Sequence, residues 1–76
     1  MKITKDILRE KTAYLNYITD RSNEKYGIDY AYGGARLVLI SEHGGVTEVS
    51  PRGTKTEIGV ILDSIINFYE LELRAQ

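Results

Sequence analysis

Two Gly-Gly pairs set twenty residues apart from the rest of the chain and constrain its fold most tightly. They are Gly33-Gly34 and Gly44-Gly45, inside YAYGGARLVLISEHGGVTEV at residues 30–49. The runs they separate read as three short strands joined by tight turns. Ile28, Tyr30 and Tyr32 alternate with Asp29 and Ala31, the period of a half-buried strand. With Gly33-Gly34 as a two-residue turn, Tyr32 faces Ala35, Tyr30 faces Leu37 and Ile28 faces Leu39. This register gathers the apolar side chains on one face. A glycine bulge that kinks one long strand is the alternative. Residues 36–40 are apolar on both faces after Arg36, as expected of a central strand, and residues 46–49 make the third. Pro51 cannot donate to a ladder and ends the sheet.

Helical signals flank this meander. Thr4 is placed as an N-cap, Asp6 suits the positive end of the helix dipole, and Ile3 with Leu8 has staple spacing. Ile7, Leu8, Lys11, Tyr14, Leu15 and Ile18 share one helical face, and residues 20–25 break the pattern. Thr54 and Glu57 form a capping box. After it Ile58, Ile61, Leu62, Ile65, Phe68, Tyr69 and Leu73 form a second apolar face. Gly59 lies on its margin, at a cost of about 1 kcal/mol against alanine, and close approach of another backbone would explain it. The spacing predicts an α+β protein of order α-β-β-β-α. It has a three-stranded antiparallel meander and two helices, with residues 1–76 forming a single domain.

Composition narrows the function classes. Ten basic residues against eleven acidic give a net charge of -1, which disfavours nucleic-acid binding through bulk charge. With no cysteine, disulfides and thiolate zinc sites are excluded, and a reducing cytoplasm is the expected setting. The charged start does not read as a signal peptide, and no apolar run approaches the ~18 residues of a membrane span.

No catalytic, cofactor or metal signature is present, so a non-enzymatic role is expected. His43 is the one histidine and has neither a second ligand nor an orienting carboxylate at motif spacing. Ser41, Ser50 and Ser64 lie in no nucleophile motif, and neither Gly-Gly pair has the Lys-Ser/Thr or strand-to-helix context of a phosphate loop. Six tyrosines form a high share. Tyr14 and Tyr69 fall on core faces, and Tyr30 and Tyr32 are core if the helices cover their side of the sheet. The opposite side then exposes Asp29, Ala31, Arg36, Val38 and Ile40. Ala31, Arg36, Val38 and Ile40 are the candidate protein interface, with Val38 and Ile40 as an apolar patch for a partner or a second copy. Val60 and Leu71 form a weaker apolar spot on the far side of the last helix. For nucleic acid the candidates are Lys5, Arg9, Arg36, Arg52 and Lys55, the last near a helix start, where anions are favoured.

Two resemblances rest on these residues. YGGARLV at 32–38, GGV at 44–46 and SPRGTKTE at 50–57 resemble a family of small uncharacterised proteins of bacteriophages and related mobile elements. That likeness covers roughly the C-terminal two-thirds and implies an accessory role in a bacterial or phage cytoplasm. The α-β-β-β-α order is similar to the double-stranded-RNA-binding domain, whose last helix begins with a Gly-x-Ser-Lys-Lys-type phosphate contact. Gly53-Thr54-Lys55 matches it in part, while Thr56 and Gly59 stand where lysines are expected and Glu57 adds negative charge. The leading expectation is an interaction module that self-associates or docks a protein through its sheet face. Double-stranded RNA or DNA binding at the start of the last helix is the alternative.

Overall fold

The turn between the first two strands is built from Tyr32 and Gly33, both left-handed at φ 53° and 74°. Positive φ at both central residues defines the type I′ turn that suits a right-twisted hairpin. A computed structural model describes residues 2–20 and 22–75; Met1, at the charged start, and Arg21, within the expected break, lie outside the described residues. The elements are α1 (Lys5–Thr19), β1 (Glu24–Ala31), β2 (Gly34–Ser41), β3 (Val46–Glu48) and α2 (Lys55–Ala75). The strands form one antiparallel sheet of order β1-β2-β3, giving the expected α+β architecture and resolving the Gly-Gly alternative as a hairpin.

The turn sits one residue earlier than Gly33-Gly34, and the register changes with it. Tyr30 faces Ala35, Ile28 faces Leu37 and Tyr26 faces Leu39. Moving a turn by one residue shifts cross-strand partners by two, so every side chain keeps its face. Tyr32 leaves the strand for the turn and is 97% exposed, not core. Gly34 is released for a second purpose: a Cβ there would lie 2.9 Å from the carbonyl oxygen of Gly53. The segment after β3 therefore crosses against the start of β2, where Ala35 and Gly53 exchange backbone bonds of 2.8 Å.

Leu8 and Leu15 from α1, Ala35 and Leu37 from β2, and Ile58, Leu62 and Ile66 from α2 form the core, with Tyr26 and Ile28 packed against it. Both helices thus lie on one face of the sheet. They run parallel: Ile3 reaches Gly59, Lys11 Nζ pairs with Asp63 Oδ1 at 2.6 Å, and the Tyr14 hydroxyl donates to Glu70 Oε2 at 3.0 Å. Tyr14 is a bridge at the helix seam and 43% exposed, not a core residue. Ile58, Leu62 and Ile66 make a narrow stripe at spacings of four, so Phe68, two positions past Ile66, turns outward and is exposed. Leu73, two turns beyond Ile66, lies past the last core contact and is exposed as well.

Both caps form as expected. The Ile7 amide donates to Thr4 Oγ1. The Glu57 amide donates to Thr54 Oγ1 while Glu57 Oε1 accepts from the Thr54 amide. That bond holds the Glu57 carboxyl below the usual carboxylate range, so the support it gives α2 fades only as acid protonates it. The two buried polar side chains among the described residues serve the backbone: the Thr12 hydroxyl donates to the Leu8 carbonyl, and Ser50 Oγ accepts from the Leu37 amide. Ser50 thereby replaces a ladder bond where β3 has ended.

Gly59 is buried, but its neighbour is a side chain, not a backbone: a Cβ would sit 3.6 Å from Ile3 Cγ2, an ordinary contact. With room available and a helix-interior glycine removed, Gly59→Ala is expected to stabilise the protein by about 1 kcal/mol, read from the urea midpoint.

Candidate interaction surfaces

Three exposed surfaces gather the candidate residues: the face of the sheet opposite the helices, the end where both helices begin, and the outer edge of β1. The open sheet face carries Gly27, Asp29 and Ala31 from β1, Arg36, Val38 and Ile40 from β2, and Val46 and Glu48 from β3. Val38 is not exposed there: it is 3% accessible although it lies outside the core cluster and no helix covers it. Its neighbours bury it. Ile40 leans across Gly27, where a Cβ would come within 2.9 Å of Ile40 Cδ1 and 3.8 Å of Val38 Cγ2. On the other flank Arg36 Nη1 reaches Glu48 Oε2 at 3.3 Å, diagonally beside Val38. The expected patch shrinks to Ile40, 40% exposed, and gains Val46, its cross-strand partner, at 57%.

The rest of this face is an ion-pair network. Asp29 Oδ2 accepts from Arg36 Nη2 at 2.9 Å and from Arg52 Nη2 at 3.0 Å. Arg52 Nη1 also donates to the carbonyls of Asp29 and Ala31, and its guanidinium stacks 5.7 Å from the Tyr32 ring centre. Arg36 and Arg52, two of the five candidate cations for nucleic acid, are thus tied to Asp29, and the Arg36 Nε is buried without a hydrogen-bond partner among the described residues. Ala31 is half-buried beneath this network.

The remaining three cations lie toward α1 and the two helix starts. Arg9 pairs with Asp6 at 3.0 Å on the surface. Lys5 Nζ stands 4.7 Å from the Tyr30 ring centre, a cation–π contact, and burial pushes the Tyr30 hydroxyl pKa up. Because the helices are parallel, Lys55 comes to the same end as Lys5. The two line a cleft of about 300 Å³ with Tyr30, Ala31, Gly33 and Gly34. Lys55 is exposed and has no ion-pair partner among the described residues.

A larger groove of about 440 Å³ runs between α1 and β1, lined by Lys5, Arg9, Ala13, Asn16, Ile28 and Tyr30 among others. Asn16 closes one end of it. Its Oδ1 accepts from the Tyr26 amide at 2.7 Å and its Nδ2 donates to the Tyr26 carbonyl at 3.1 Å, so one side-chain amide satisfies both backbone groups. Helical periodicity assigns Asn16 and Ala13 to faces away from the core and says nothing of this contact. Only the position of β1 beside α1 reveals it.

His43 is a solvated turn residue, with Nε2 3.4 Å from Glu42 Oε1. Among the described residues no group of three or more histidine, aspartate or glutamate side chains could hold a metal ion, and no helix is long and apolar enough to cross a membrane. The chain matches no protein-family model, and no curated protein or solved structure shows significant similarity to it.

The Asp29 network joins β1, β2, β3 and the segment before α2. Asp29→Ala leaves two half-buried guanidiniums without their shared acceptor. It is expected to cost about 1–2 kcal/mol in urea unfolding, with a loss below ~0.5 kcal/mol showing that solvent screens the network.

Proposed function

We propose that the chain is a non-enzymatic interaction module that self-associates through the open face of its sheet. The observation that carries this reading is the Ile40–Val46 pair, exposed on adjacent strands with no element packed over them. A second copy is the occupant that suits so small a protein. Its core of buried apolar side chains is modest, and covering an apolar corner by dimerisation adds burial that the single chain lacks. The non-enzymatic reading is supported by how the buried polar groups are used: Thr12 and Ser50 serve main-chain bonds, and the histidine faces solvent. A bacterial or phage cytoplasm, the setting implied by the resemblance to phage and mobile-element proteins, is part of this proposal.

A second reading, binding of duplex RNA or DNA, draws on one observation: parallel helices bring Lys5 and Lys55 to one end of the molecule. Against it, Arg36 and Arg52 are already paired, and each lost phosphate contact weakens such binding.

Light scattering across a concentration series tests the proposal. A dimer that Ile40→Asp with Val46→Asp converts to monomer is expected, while Leu71→Asp on the outer face of α2 leaves it unchanged. A monomer at every concentration, or loss of the dimer with Leu71→Asp alone, would overturn it. Retention of duplex RNA at low salt, abolished by Lys55→Glu, would favour the second reading.

A further inference from the structure

We infer that the groove between α1 and β1 binds an extended acidic peptide, which adds a fourth strand to the sheet at the outer edge of β1. This site is separate from the open sheet face and does not depend on the dimer.

The direction of the β1 backbone groups follows from the bonds that β2 makes on its other side. Leu37 accepts from the Val49 and Ser50 amides and donates to Ser50 Oγ, and Ala35 exchanges bonds with Gly53. Both residues therefore spend their backbone groups away from β1. Their cross-strand partners, Ile28 opposite Leu37 and Tyr30 opposite Ala35, form non-hydrogen-bonded pairs. The amides and carbonyls of Ile28 and Tyr30 consequently project from the free edge, and neither residue has a backbone partner there among the described residues. Tyr26, two residues earlier, points the same way, and its two groups are the ones that Asn16 satisfies. The Asn16 amide does for one residue what a peptide would do for the next two. It marks the end of the added strand and leaves room for two further hydrogen-bonded positions, at Ile28 and Tyr30.

The walls define the peptide's chemistry. An antiparallel strand would place its residues opposite Ile28 and Tyr30 in closely bonded pairs, both side chains on the α1 side. The one opposite Ile28 meets Ala13, whose small side chain leaves space for an apolar group. The one opposite Tyr30 meets Lys5, which no carboxylate among the described residues engages. Upstream the peptide passes Gly33 and Gly34 toward Lys55, likewise unpaired. The one carboxylate on the groove wall, Asp6, is paired with Arg9. In N-to-C order the preferred sequence is acidic-x-apolar, with further acidic residues before it. Main-chain bonds to the edge strand supply affinity, and the alternate side chains supply selectivity.

Panning a random dodecapeptide display library against the full chain, followed by titration of the recovered peptides, tests this. Enrichment of acidic-x-apolar sequences is expected. Binding should weaken at least tenfold with Ala13→Glu, an exposed position that fills and repels within the groove, and with Lys5→Glu. It should persist in Ile40→Asp, which separates it from the sheet-face dimer. No enrichment, peptides that bind Ala13→Glu as tightly as the parent, or a β1 edge occupied by a second copy would each overturn the proposal. So would enriched peptides without acidic residues.

Discussion

The register of the β1–β2 hairpin is the constraint on which the rest depends. A type I′ turn at Tyr32-Gly33 pairs Ile28 with Leu37 and Tyr30 with Ala35, and three consequences follow. Tyr26, Ile28, Ala35 and Leu37 come together beneath the helices. Asp29 stands opposite Arg36 on the other face and can gather Arg52 as well. The backbone phase of β1 is also fixed, turning the amides of Ile28 and Tyr30 away from β2. A slip of one residue would reverse all three, because side chains alternate with period two and backbone groups alternate with them.

The two sides of the sheet are held by different physics. The helix side is apolar burial, fastened at its seam by Lys11 with Asp63 and Tyr14 with Glu70. The open side is covered by its own side chains: Ile40 lies over Gly27, and Arg36 spans from Asp29 to Glu48. That local cover explains how Val38 is buried without a helix above it, and why the apolar surface left over is a corner at Ile40 and Val46. Ion pairs of this partly exposed kind add little stability singly. Here one carboxylate serves two guanidiniums, tying the segment before α2 to the sheet.

Much of the architecture was legible in the residues. Thr4 and the Thr54–Glu57 box mark both helix starts, and the Gly-Gly pairs mark both turns within a residue. The turn position was not legible, because Gly33-Gly34 and Tyr32-Gly33 place the same side chains on the same faces. The side-chain pattern carries no information that separates them. The sequence marks Gly34 as a turn residue, while its use is the close passage of Gly53, a contact between distant segments. Strand alternation predicts Val38 as exposed, because it reports the face and not what neighbours do on it. The candidate groove was hidden for the same reason: Ala13 and Asn16 acquire meaning only from β1 alongside them. Of the cations, Lys5 and Lys55 have no carboxylate partner among the described residues, whereas Arg36 and Arg52 carry no mark in the sequence of their pairing with Asp29.

The central claim is that β1 presents an unsatisfied edge whose phase is set by the Tyr32-Gly33 turn. Amide hydrogen exchange in the free protein, resolved by residue, tests it most directly. Protection is expected to alternate along β1. The amides of Gly27 and Asp29, bonded to β2, and of Tyr26, bonded to Asn16, exchange slowly, while those of Ile28 and Tyr30 exchange far faster. Uniform protection along the strand, or slow exchange at Ile28 and Tyr30 with fast exchange at Gly27 and Asp29, would contradict it.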